Sequence, residues 1–208
     1  MFRFTLGLIG ILVALVPSYS SYAQQSDAPV YRDGDWWRVK VEVARPAGVS
    51  VSGPQALESF PEYVVKIEAG NPKVLGVREN ETKEIDSLPI ISLVLGKPGW
   101  LGELLKFPMR VGLTWSDRFQ FQPLGAQMRW EEARYEVQAW EKVKTVKGDF
   151  DAFKILMHMT APTGPKGKGN EIRTRTYYYA PDIKAIASLH TSGTASVAST
   201  LIDFSLAK

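Results

Sequence analysis

The sequence contains no cysteine. That absence removes disulfide staples, thiol nucleophiles and the thiolate ligands of zinc sites. It also removes the residue that a lipoprotein anchor would modify. Histidine is scarce: His158 and His190 are the two in the chain. Neither stands in an H-x-H, H-x-x-x-H or H-E-x-x-H pattern, so no metal is expected. No G-x-S-x-G occurs, and so no nucleophile elbow. Charge is near balance, at a formal net +3 with one of those charges at Arg3, so no nucleic-acid partner is expected. Beyond residue 23 no stretch approaches the roughly 20 apolar residues that a membrane-spanning helix needs.

The chain does have a short apolar run, Leu6 to Val16, behind Met1-Phe2-Arg3. Pro17 ends the run, and Ser21-Tyr22-Ala23 places small residues at the −3 and −1 positions of a cut before Gln24. This is the order of a cleavable secretory signal. Residues 1–23 are read as that signal, and export to the periplasm or medium is expected. Residues 24–33 are polar and read as a flexible arm; 34–208 read as a single β domain. Without disulfides, stability must come from an apolar core, which 45% hydrophobic and 11% aromatic residues can supply.

Period-two alternation is the dominant pattern after the arm. Trp37, Val39, Val41 and Val43 alternate with Arg38, Lys40 and Glu42, which only a strand segregates onto opposite faces. Similar signals cover Tyr63–Glu68, Val74–Arg78, Leu113–Phe121, Phe153–Met159, Ile172–Tyr179, Ile183–His190 and Val197–Leu206. Ile90–Leu95 is a continuous apolar run, read as a strand buried on both faces. Glu79–Asp86 reads as a charged, solvated segment and Pro98–Phe107 as a helical turn. Residues 128–144 carry both helical and strand spacing. Strand is favoured there, because Lys147-Gly148-Asp149 is a hairpin turn that needs a partner running into it. Regular turns joined by short loops predict an all-β, antiparallel meander of about nine to eleven strands, forming a curved sheet or barrel-like domain.

Few residues suggest chemistry. The loop Gly164–Asn170 lacks phosphate-loop spacing and leads into a strand rather than a helix. Ser205-x-x-Lys208 matches an S-x-x-K pattern but ends the sequence. Glu131-Glu132 are paired acids, but neighbours on a strand point to opposite faces. Trp37, Trp115 and Trp130 read as core residues. Arg173, Arg175, Tyr177 and Tyr179 share one strand face, apolar rings with a cationic end, and stand as the candidate ligand-binding set.

Three segments carry a family resemblance. They are Phe107-Pro108-Met109-Arg110-Val111-Gly112-Leu113-Thr114-Trp115, Lys147-Gly148-Asp149-Phe150-Asp151-Ala152-Phe153-Lys154-Ile155, and Tyr177-Tyr178-Tyr179-Ala180-Pro181-Asp182-Ile183-Lys184-Ala185-Ile186. In this order they resemble a group of uncharacterised bacterial exported β proteins, a domain of unknown function, over about residues 107–206. The resemblance implies a periplasmic antiparallel β fold, curved or barrel-like, with no catalytic residues to carry over. Ala187 departs from the pattern, since a bulkier residue is expected in that strand.

Three function classes follow. The first is a non-catalytic periplasmic module for a hydrophobic or amphipathic ligand, such as a lipid with an acidic head. Small residues at Ala185, Ala187, Ser188, Ala198 and Ser199 favour it by leaving volume over the sheet. The second is an envelope assembly or interaction subunit that docks an envelope protein. The third is an enzyme of unknown class. No reaction and no cofactor are expected.

Overall fold

The structure is a computed structural model. It describes residues 24–44, 60–79, 81–97, 104–121, 129–162, 170–192 and 196–208. The signal segment 1–23 and most of residues 45–61, 98–107 and 161–170 lie outside the described residues.

The fold is antiparallel β. Strands β2 (Trp36–Ala44), β3 (Glu62–Glu68), β4 (Asn71–Arg78), β5 (Glu81–Ile85), β7 (Thr114–Phe121), β8 (Arg129–Lys144), β9 (Asp149–Pro162), β10 (Asn170–Ala180), β11 (Ala185–Ser192) and β12 (Ser196–Ser205) form one sheet of ten. Their order is β5-β4-β3-β2-β12-β11-β10-β9-β8-β7, so the chain's last strand pairs with its first long one. The sheet is not closed into a barrel: β5 and β7 are its two edges. Two short strands, β1 (Gln25–Ser26) and β6 (Met109–Arg110), pair separately.

Alternation places the core. Trp37, Val39, Val41, Tyr63, Val65, Ile67, Val137, Phe153, Ile155, Met157, Tyr177, Leu189 and Leu201 are buried on one face. The charged residues on the other form surface ion pairs, among them Arg38 with Glu62, Lys66 with Glu68 and Lys154 with Glu141. Register shifts fall between Val137 and Ala139 in β8, between Leu201 and Asp203 in β12, and in the β10–β11 ladder beside Tyr178 and Tyr179. Extra residues of this kind bend a strand and raise its twist. Ala187 lies in the last of these irregularities, where Ser188 pairs with Tyr178 and Ile186 with Tyr179. It is fully buried. A small side chain suits a position that has lost its place in the ladder.

Four sequence expectations change. Leu88–Leu95 is an α-helix, α1, not a strand. Its apolar run is continuous because it is buried nearly all round, at Ile90, Ser92, Leu93, Val94 and Leu95. The charged segment 79–86 contains edge strand β5, whose exposed Glu81, Lys83 and Glu84 discourage further pairing. Ile183 belongs to a 3-10 turn, Pro181–Ile183, and β11 begins at Ala185. The segment read as a flexible arm is tied down: Gln25 and Ser26 pair with Arg110 and Met109, and Tyr31 packs edge-on against Trp37 at 5.7 Å.

The two ends of the sheet differ. At one end the strands are joined by tight turns, and the Arg32 turn and the Ala207 tail meet at Asp35. Its carboxylate is fully buried. It accepts from the Arg32 N–H at 2.9 Å, the Ala207 N–H at 2.8 Å and the Lys184 ammonium at 3.1 Å. Beside it the Trp37 indole N–H donates to the Ile183 carbonyl at 2.7 Å. This is the closed end. At the other end stand the strand termini that border residues 45–59, 122–128, 163–169 and 193–195.

Candidate functional site

The buried face of β7 to β10, toward the second end, holds the sequence-derived site residues. Arg173, Arg175, Tyr177 and Tyr179 follow one another at alternate positions of β10. The ladder sets Arg173 opposite Met159, Arg175 opposite Met157 and Thr191, and Tyr177 opposite Ile155 and Leu189. Nothing further is described of the Arg173 side chain. The two tyrosines are core residues, each with less than 2% of its surface exposed. Burial raises the pKa of both hydroxyls, with Arg175 opposing the shift at Tyr177 and Ser26 opposing it at Tyr179.

Arg175 is the unusual member. It projects from the apolar face, where its neighbours on either side are Met157 and the buried Thr191. Its guanidinium donates to the Tyr177 hydroxyl, which in turn donates to the Met157 sulfur at 3.0 Å. The Arg175 Nε is buried and has no partner among the described residues. A buried donor left unmet costs about 1–3 kcal/mol.

The surroundings are soft and aromatic. Ala133, Met157 and Met159 are buried on this face. Trp115 and Tyr135 stack in parallel across β7 and β8, with centroids 4.8 Å apart and planes 5° from coplanar. Glu131 is buried toward the same end of β8, while its neighbour Glu132 is exposed. Periodicity therefore separated the paired acids correctly. Trp37 and Trp115 are core residues; the Trp130 side chain lies outside the described residues.

Other candidates disperse. His158 and His190 are exposed on the opposite face of the sheet, across from Thr174 and Thr176 respectively. No group of three or more His, Asp or Glu that could hold a metal occurs among the described residues. The small residues of β11 do not mark a vacant site. Ala185 and Ala187 are fully buried, and α1 packs on β11, β3 and β4.

No protein-family model matches the sequence, and no curated protein matches it significantly. Among solved structures, the protein is similar to the hypothetical lipoprotein YmcC from Escherichia coli K12. The TM-score is 0.44 and the identity 8%, over 81% of this chain and 84% of that one. It is also similar to a putative exported protein with a YmcC-like fold from Bacteroides fragilis. There the TM-score is 0.37 and the identity 14%, over 88% of this chain and 100% of the other. No helix among the described residues is long and apolar enough to cross a membrane.

Proposed function

We propose that this chain is an exported, non-catalytic β domain that binds a hydrophobic or amphipathic molecule on the β7–β10 part of its inner face. One observation carries the reading: Arg175 presents a buried Nε without a described partner, between Met157 and Thr191 on the inner face. A ligand with an acidic head would complete that donor, while its apolar part lies along Met157, Met159 and Ala133. Methionine suits such a wall, because its unbranched thioether adapts to chains of varying shape. In this reading Tyr177 and Tyr179 act from beneath, Tyr177 by holding the guanidinium. The signal-like segment 1–23 supports export, with the cut after Ala23. Intact mass of the exported protein checks that cut.

The test is native mass spectrometry of protein purified gently from its own envelope fraction. A bound small molecule is expected, with lower occupancy in Arg175→Ala at unchanged fold. Bare polypeptide, together with no change in melting temperature across lipids and glycans, would overturn the reading. A second reading has one observation behind it. Strand β7 ends the sheet, and an envelope protein could add a strand there. Bare polypeptide with co-purified protein would favour that reading.

A further inference from the structure

We propose that the mature N-terminus is a modification site: Gln24, once freed by the cut after Ala23, closes on itself to a pyroglutamate lactam. The proposal rests on that cut. Gln24 is exposed and lies just outside the ladder of β1, whose first residue, Gln25, stands opposite Arg110. The residues that follow are held. Ser26 stands opposite the fully buried Met109, and further along the arm the Tyr31 hydroxyl donates to the Leu95 carbonyl at 3.1 Å. Gln24 is thus a single solvent-facing residue ahead of an anchored strand.

Both reacting groups belong to Gln24 itself. The neutral α-amine attacks the side-chain amide carbon Cδ. A C–N bond forms, the Cδ–Nε2 bond breaks, and ammonia leaves with the proton given up by the attacking nitrogen. The ring is five-membered, so nucleophile and carbonyl are already within reach and no second reactant is needed. An α-amino group has its pKa at about 8, so a fraction of it is neutral and nucleophilic at neutral pH. Closure removes a positive charge one residue from the Gln25–Arg110 pair. It also guards the fold. Strand β1 is two residues long, so an exopeptidase that took Gln24 from a free amine would need only two further steps to erase it. A lactam offers no amine to such an enzyme, and the arm stays paired to β6.

The experiment is intact-mass measurement of the full exported protein, isolated from its envelope fraction. The expected mass is that of residues 24–208 less one ammonia. The tryptic peptide Gln24–Arg32 should resist N-terminal sequencing until pyroglutamate aminopeptidase removes its first residue, after which Gln25 is read first. Gln24→Ala should give the full mass of its own residues 24–208 and should be sequenced directly. Leucine aminopeptidase should then shorten Gln24→Ala while the wild type keeps its mass. A terminus at Gln24 whose amine stays free through incubation at neutral pH would overturn the lactam and leave the cut standing. A terminus at any other residue would remove the cut and the lactam together. Equal resistance of Gln24→Ala and wild type to the aminopeptidase would overturn the protective role, because the β1–β6 pairing alone would then suffice.

Discussion

Asp35 ties its own turn to three parts of the chain that are remote in sequence. Its carboxylate receives the Arg32 turn, the Ala207 tail and the Lys184 ammonium, and its backbone carbonyl accepts the Ile67 N–H of β3 at 2.8 Å. Burial pushes this carboxyl up. The backbone N–H groups of Arg32 and Ala207 and the Lys184 ammonium outweigh that effect and hold it below the ordinary value. A depressed carboxyl contributes stability that is present above the unfolded value and is lost as pH falls through the folded one. Acid titration of the melting temperature should therefore show a steeper loss below about pH 4 in the wild type than in Asp35→Asn. Identical acid limbs would mean that Asp35 does not couple folding to protons. At neutral pH, Asp35→Ala should cost about 1–3 kcal/mol in urea unfolding, because it removes the partner of Lys184 and of two part-buried N–H donors. Nothing in the sequence marked Asp35 for this role. Its partners lie up to 172 positions away, and only the closing of the sheet by β12 on β2 brings them within reach.

At the scale of elements, α1 shows what periodicity misses and what local signals retain. A short continuous apolar run fits a strand buried on both faces and a helix buried all round equally well. The boundaries of α1 were nonetheless written in the sequence. Pro89 sits in the first turn, where its missing N–H costs nothing, and Gly96 closes the helix in the left-handed region at φ 63°. The Gly96 N–H donates to the Ser92 carbonyl at 2.9 Å, and the Tyr31 hydroxyl to the Leu95 carbonyl at 3.1 Å. A Cβ at Gly96 would run into the Leu105 side chain, whereas one at Gly70, φ 74°, meets nothing within 4 Å. Both substitutions to alanine carry the left-handed penalty of about 1 kcal/mol; Gly96→Ala should cost about 1–3 kcal/mol more through overpacking. Equal losses in melting temperature would mean that Leu105 moves aside freely.

The β8–β9 hairpin is the opposite case, since turn chemistry resolved an ambiguous stretch. Residues 129–144 form a strand because Lys147-Gly148-Asp149 reverses the chain. Gly148 has φ 146°, a conformation nearly closed to other residues, with open space around it. Gly148→Val should therefore cost about 1–3 kcal/mol through backbone strain. An unchanged melting temperature would show that this turn relaxes without loss. The hairpin reaches across to the last strand, where Phe150 packs edge-on against Phe204 at 5.8 Å and Lys147 pairs with Asp203.

The whole molecule is an open sheet that buries its apolar face around its own helix. That architecture was legible as class and strand sequence, because alternation survives any arrangement of strands. Closure was not, since a curved sheet and a barrel share the same period. The site was legible in part. The same-face relation of Arg173, Arg175, Tyr177 and Tyr179 follows from spacing alone. Which of them are structural depends on neighbours in β8, β9 and β11 that no local pattern identifies. Tyr177 and Tyr179 prove to be core, and Arg175 carries the unmet donor. The most direct test of the inner-face site is methyl NMR of protein labelled with ¹³C-methyl methionine, titrated with dodecanoate. Met157 and Met159 line the proposed site, while Met109 is buried in β6. Saturable shifts at Met157 and Met159 with Met109 unmoved are expected. Shifts confined to Met109, or no shift at any methionine, would contradict a ligand site on the β7–β10 face.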